Sequence, residues 1–268
     1  MSVLLHVSDP HFGTERPEVM QALHAFVRQQ APALAVWSGD ITQRAHAAQF
    51  AAARRFMDAL ALPQLVIPGN HDIPLFNPYA RLFAPYANFC AAFGEVLEPV
   101  LETPDFLVIG LNTTRPRHHR DGEVSEAQIA ATATRLAQAR PGQLRIVVVH
   151  QPLAVITASD RHNLLQGHEA ALQAWRDADL FLGGHIHLPY VCPVADAGGA
   201  SPTRWVVQAG TAVSRRTRDG IDNSVNLLRH DASAGECHIE RWDFSGAAQA
   251  FVLAATTSVI LRHYTRAS

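Results

Sequence analysis

Five short stretches place acid, amide or imidazole side chains directly behind apolar runs. They are Asp9-Pro10-His11, Gly39-Asp40, Gly69-Asn70-His71-Asp72, His150, and Gly184-His185-Ile186-His187. One Asp or His at the end of a strand is ordinarily a cap or a turn residue. Five such stretches in one chain point elsewhere, because carboxylates and imidazoles gathered out of water are costly unless something compensates them. The candidate ligands are Asp9, His11, Asp40, Asn70, His150, His185 and His187, which makes two Asp, one Asn and four His. That set exceeds what a single tetrahedral ion takes. It suits two ions of higher coordination that share a bridging carboxylate. Asp40, alone after Gly39, is the expected bridge. The i, i+2 pairs Asp9/His11 and His185/His187 can leave a strand end on the same side and chelate together.

The runs in front of these residues are short and rich in β-branched side chains: VLLHVS (3–8), ALAVW (33–37), QLVIP (64–68), RIVVVH (145–150) and DLFLGG (179–184), with FLVIG (106–110) and RWVVQAG (204–210) besides. They read as strands buried on both faces. Between them lie helical patterns over 17–30, 45–60 and from the capping box Ser125-Glu126-Ala127-Gln128 through Ala139. In an open α/β sheet, sites are built beyond the carboxyl ends of the strands, so residues far apart in the chain can converge there. Strands at 224–229 and 236–242 follow with little helix between them, which predicts two packed sheets with helices outside. Residues 74–100, rich in Pro and aromatics, leave the alternation and read as a cap-like insertion over one edge of the site. The expected organisation is one domain over 1–245 and a C-terminal extension over 246–268, a terminal strand or a contact with a second copy.

Bulk properties narrow the class. With 268 residues, 48% hydrophobic and 17% charged, the chain can bury a large core. A formal net charge of −2 argues against a protein that coats nucleic acid. Cys90, Cys192 and Cys237 are scattered and odd in number, so neither a zinc ribbon nor a disulfide framework is expected, and a reducing compartment fits. No leader pattern precedes the first strand, and the apolar tail 250–266 is interrupted by Thr and Ser, short of the roughly 20 apolar residues that span a bilayer. The expectation is a cytoplasmic protein with no membrane span, free to form a homo-oligomer.

The five stretches closely resemble the calcineurin-like metallophosphoesterase pattern D-x-H, G-D, G-N-H-[DE], a lone His, and G-H-x-H, in that order, over residues 9–187. The resemblance implies a four-layer α-β-β-α sandwich of two mixed β-sheets. It implies one divalent metal on Asp9, His11, Asp40 and His187 and a second on Asp40, Asn70, His150 and His185, each ion being Mn, Fe, Zn or Co. His71, surplus to coordination, is implied to face the phosphate and to protonate or stabilise the leaving oxygen. Within the family the chain looks most like the class III cyclic nucleotide phosphodiesterases, through LNTTRPRHHRDGEVSEAQIAAT (111–132) and AGTAVSRRTRDGIDNSVNLL (209–228). It departs from them at His150-Gln151-Pro152, where that branch commonly has His-His-Pro. Gln151 can hydrogen-bond a phosphate but carries no proton.

The expected function is hydrolysis of a small phosphodiester by water activated between two metals, with 3′,5′-cyclic AMP or a related cyclic nucleotide as the first candidate. A glycerophosphodiesterase or a hydrolase of nucleotide- or lipid-linked diesters comes next. A nuclease, a phosphomonoesterase and a catalytically inactive metal-binding scaffold complete the set. The near-neutral charge weakens the nuclease, and the complete ligand pattern weakens the scaffold. The basic loops Arg115–Arg120 and Arg215–Arg218 fit either a flank of the site that attracts a phosphate group or a solvated face, and are left outside the site.

Overall fold

A computed structural model describes residues 1–194 and 203–261. In chain order its first elements are β1 (Ser2–Val7), α1 (Pro17–Gln30), β2 (Leu34–Ser38), α2 (Ala47–Asp58) and β3 (Gln64–Ile67). Next come α3 (Pro78–Phe83), α4 (Ala87–Phe93), β4 (Val100–Glu102), β5 (Phe106–Gly110), α5 (Glu126–Leu136) and β6 (Leu144–Val148). The remainder is α6 (His168–Ala174), β7 (Leu180–Gly183), β8 (Tyr190–Pro193), β9 (Trp205–Gln208), β10 (Ser224–Asp231), β11 (Glu236–Ser245) and β12 (Ala250–Ile260). Residues 262–268 of the C-terminal extension, His263 included, lie outside the described residues.

The strands form two six-stranded mixed sheets, ordered β12-β11-β10-β1-β2-β3 and β4-β5-β6-β7-β9-β8. Alternation along the strands explains why they stack. In β2, Leu34 and Val36 face the other sheet, while Ala35 and Trp37 face helices α1 and α2. In β6, Ile146 and Val148 join the same central core, and Val147 faces the helices of the opposite side. Period-2 side chains buried on both faces thus build three apolar layers between four layers of backbone, the α-β-β-α sandwich.

Helix α1 begins at Pro17, whose missing N–H is harmless in a first turn, and α5 begins at Ser125, whose Oγ accepts from Gln128 N at 3.2 Å while Gln128 Oε1 accepts from Ser125 N. The 74–100 segment divides in two. Around α3, Phe76, Tyr79, Leu82 and Phe83 are exposed. In α4, Phe89 is buried against Phe50 and belongs to the core. Strand β12 pairs with β11 along its whole length and forms the outer edge of the first sheet.

Strands β1, β2 and β3 are mutually parallel, and so are β5, β6, β7 and β9. Their carboxyl ends therefore open on shared edges, and the loops after β1, β2, β3, β6 and β7 carry the five polar stretches.

Candidate metal centre

Backbone hydrogen bonds across the strand ends bring these loops together. Asp9 N donates to Gly39 O at 3.1 Å, His11 N to Asp40 O at 3.0 Å, and Gly184 N to His150 O at 3.0 Å. Across the two sheets, His185 N donates to Asp9 Oδ2 at 3.0 Å. The approach is close enough to demand glycine. A Cβ on Gly184 would overlap Ser8 Oγ and the Asp9 carboxylate, and one on Gly69 would overlap the Asp40 backbone nitrogen. The ligand backbones are themselves strained. Asp9, His11, Asp40, His185 and His187 have φ of 50°, 43°, 51°, 72° and 54°, making five of the nine non-glycine residues with positive φ among the described residues. Asp and His tolerate the left-handed region better than most side chains, and a concentration of such strain marks a functional site.

The side chains gather into two groups, Asp9/His11/His187 and Asp40/His150/His185. In the first, His187 Nε2 lies 3.2 Å from Asp9 Oδ1 and 3.1 Å from His11 Nε2. In the second, His150 Nε2 lies 3.3 Å from Asp40 Oδ1, and Asn70 Oδ1 lies 3.1 Å from His150 Nε2 and 3.0 Å from His185 Nδ1. Asp40 reaches both groups. Its Oδ1 faces His150, and its Oδ2 lies 3.8 Å from His11 Nε2. Donors about 2.1 Å from an ion stand about 3.0 to 3.4 Å apart at octahedral and tetrahedral angles, which the 3.0 to 3.3 Å separations match, while His11 Nε2 stands wider, 3.8 Å from both Asp9 Oδ1 and Asp40 Oδ2. His150 Nδ1 faces Ser38 O at 2.8 Å and must donate to it, which leaves the Nε2 lone pair pointing into the cluster.

Charge in the pocket tells the same story. Asp9, His11, Asp40, Asn70 and His150 are buried, and His185 and His187 are half-buried. Burial brings the His11 and His185 imidazoles down to about 3, holding them neutral. Burial also opposes ionisation of Asp9 and Asp40, but His187 beside Asp9, and His150 and His71 beside Asp40, hold both carboxyls well below the usual range. His150 is pushed up to about 9 against the effect of burial, first by the charge of Asp40 and its hydrogen bond, then by Asp9. The two buried carboxylates, with His11 and His185 held neutral, create a demand for positive charge that a proton on His150 meets in part and that divalent cations can satisfy. The donor set and the spacing both fit two of them.

His71 joins neither group. Its Nδ1 faces Gln43 O at 3.0 Å and must donate there, its backbone N donates to Asp40 Oδ1 at 2.8 Å, and its ring lies edge-on to that of His11, centroids 4.9 Å apart. Three neighbours went unassigned in the sequence. Arg216, set aside above, donates from Nη1 to His71 Nε2 at 3.0 Å and to Gln43 Oε1 at 3.1 Å. Gln151 does not face the cluster. It is buried, its Oε1 accepts from Thr113 Oγ1 at 2.7 Å, and its Nε2 donates to Arg120 O at 3.1 Å, so it anchors the 113–120 loop. Its partners are distant in sequence, and no local pattern announces them.

Asp72, the last residue of the Gly-Asn-His-Asp quartet, is the third. It accepts from Ile41 N, Thr42 N, Thr42 Oγ1 and Gly69 N at 3.0, 2.8, 2.8 and 2.9 Å, and so fastens the loop after β2 to the loop after β3. Burial, then Asp40, push its carboxyl up to about 7, while the backbone N–H groups pull it down. Asp72→Ala leaves buried donors without acceptors and is expected to cost about 3 kcal/mol of stability, and to weaken metal uptake because Asp40 and Asn70 ride on those loops. Urea denaturation measures the first effect. An unchanged midpoint with unchanged slope would refute it.

Comparisons with known proteins identify the family and the fold. A family model described as calcineurin-like phosphoesterase matches residues 2–189. A curated relative from a Synechococcus strain, described as a probable cyclic nucleotide phosphodiesterase, is 25% identical over 173 residues, which is 63% of this chain. The alignment spans 64% of that relative's length. Among solved structures, a dimetal phosphatase from Danio rerio superposes with a TM-score of 0.69 at 14% identity, covering 97% of this chain and 99% of that one. A purple acid phosphatase from yellow lupin (Lupinus luteus) superposes with a TM-score of 0.72 at 13% identity, covering 97% of this chain and 54% of the lupin chain. At such identities the two structures speak for the fold alone.

Proposed function

Because the chain belongs to the calcineurin-like phosphoesterase family, we propose that it is a phosphodiesterase of small diesters working with two divalent metals. Asp9, His11, Asp40 and His187 would hold one, and Asp40, Asn70, His150 and His185 the other. The observation that carries this reading is the Asp40 carboxylate, which turns one oxygen toward each imidazole group. A metal pair held there would supply a hydrolytic nucleophile at neutral pH and would offset charge on the phosphoryl oxygens.

The chain's own groups do the rest. Asp40 Oδ1 accepts from the His71 backbone and fixes that residue beside the cluster. Gln43 O holds the His71 Nδ1 proton, so Nε2 is the atom turned toward Arg216 and available to the leaving oxygen. Substrate displaces Arg216 from that nitrogen and takes its charge.

A cyclic nucleotide is the first substrate to test, supported by the segments 111–132 and 209–228 and by the description of the Synechococcus relative. A glycerophosphodiester or a nucleotide- or lipid-linked diester comes second. No helix among the described residues is long and apolar enough to cross a membrane, and a cytoplasmic location is part of the same proposal. The test is a panel run with Mn²⁺: 3′,5′-cyclic AMP, a glycerophosphodiester, a nucleotide-linked lipid, an aryl phosphodiester and an aryl phosphomonoester. Diesters should be turned over in preference to the monoester. A preference for the monoester, or turnover of none of them, would overturn the reading.

A further inference from the structure

Helix α3 turns its apolar face outward. Phe76, Tyr79, Leu82 and Phe83 recur at helical spacing, and all four are between 67% and 78% exposed. Local signals build this helix: Pro78 opens it, and Asn77 Oδ1 accepts from Ala80 N at 3.0 Å. No residue of α3 is buried. The Tyr79 and Phe83 rings pack on each other with centroids 4.8 Å apart, and the Arg44 guanidinium lies 5.2 Å from the centre of the Phe76 ring. Single exposed apolar residues are ordinary, but four within positions 76–83 form a patch.

The surroundings are basic, although the whole chain carries a formal charge of −2. Segments 41–46, 73–94 and 111–120 contain no Asp or Glu. Contacts join them: Arg44 meets Phe76, Arg81 Nη2 donates to His118 O at 2.7 Å, and Tyr86 Oη lies 2.8 Å from Thr114 Oγ1. Arg44 and Arg81, both half-buried, thus flank the aromatic face. Arg44 also follows Gln43, whose carbonyl accepts from His71 Nδ1, so the face lies beside the metal centre. The residues bordering the undescribed segments stand at the other end of the sheets. There Val194 N donates to Arg204 O at the start of β9, and Leu261 N donates to Gly235 O in the turn between β10 and β11.

Three features select the partner. Phe, Tyr and Leu with arginines beside them are the side-chain set of helices that lie in a lipid interface. At these exposures the four side chains offer roughly 500 Å² of apolar surface, below the roughly 800 Å² per partner of a stable protein interface. The flanking cations match anionic lipid headgroups. We infer that the α3 face is a membrane-contact surface, with Phe76, Tyr79, Leu82 and Phe83 entering the boundary between headgroups and acyl chains of an anionic bilayer and Arg44 and Arg81 meeting its phosphates. The contact is peripheral, since no helix among the described residues is long and apolar enough to span. It sets the loop that supports His71 against the lipid surface.

Vesicle flotation tests it. The full chain should partition at least about tenfold more onto phosphatidylcholine vesicles holding about 30% phosphatidylglycerol than onto phosphatidylcholine alone, with a contrast that narrows as salt rises. Phe76→Ser/Phe83→Ser changes two exposed side chains, so the fold should hold while binding to the anionic vesicles falls at least about tenfold. Arg44→Gln should lower the preference for anionic over neutral vesicles. Phe83→Trp should gain a blue-shifted emission on the anionic vesicles that the wild type lacks. Equal binding by the wild type and the double Phe variant, or no binding of the wild type to either vesicle, overturns the surface. Concentration-dependent self-association in sedimentation that the double variant abolishes, without vesicle binding, also overturns it and gives the face to a second copy. Every readout is binding, so the phosphodiesterase reading can fail while the surface stands.

Discussion

Asp40→Ala should strip both metals from the protein and lower turnover by at least about a thousandfold. The expectation follows from position. Among the described residues, Asp40 is the one carboxylate with an oxygen toward each imidazole group, so its removal should deprive both sites at once, whereas loss of His187 or His185 would deprive one. A single preorganised group commonly supplies a hundred- to a thousandfold in rate, and a group shared by two cations should exceed that range. The same carboxylate accepts from the His71 backbone, which adds to the loss. Metal content measured after dialysis is the direct readout, with circular dichroism to show that the chain still folds. Two metals per chain retained in the variant would disprove the bridge. Asp40→Asn, which keeps an acceptor for His71 but removes the charge, should lose the metals nearly as fully.

His71→Ala separates chemistry from metal binding. The side chain lies outside both ligand groups, so metal content should stay at the wild-type level. If His71 delivers a proton or a hydrogen bond to the leaving oxygen, turnover of an alkyl diester should fall by about 100- to 10,000-fold. A nitrophenyl diester, whose leaving group departs without a proton, should fall much less. An equal loss on both substrates would mean that His71 acts on something other than the leaving oxygen. No loss on the alkyl diester would remove it from the mechanism.

Much of this was legible in the sequence because its signals are local. The five polar stretches follow β-branched runs directly, and strand direction alone then places them on one edge. The limits of α1, at Pro17 and Gln30, and the capping box of α5 are likewise written in neighbouring residues. What escaped depends on contacts between distant parts of the chain. Strands β4 and β8, of three and four residues, are too short to show a period, and sheet pairing alone orders them. Helix α4 looked like part of a cap because its aromatics carry no label for the side they bury, and Phe50 decides it. Asp72 stood inside a recognised quartet, yet its four donors come from loops thirty residues apart in part, so only the fold reveals the fastening. Arg216 sits in an arginine-rich run that reads equally as a solvated face until its contact with His71 is seen.

The left-handed backbone at Asp9, His11, Asp40, His185 and His187 carries a thermodynamic message of its own. For most L-residues that conformation costs about 1 to 2 kcal/mol, a burden that glycine would escape. Selection for durability alone would therefore erode these five positions first, and a descendant freed from its chemistry could grow more heat-resistant simply by forgetting them. Aspartate and histidine at these five positions therefore hold strain that glycine would release.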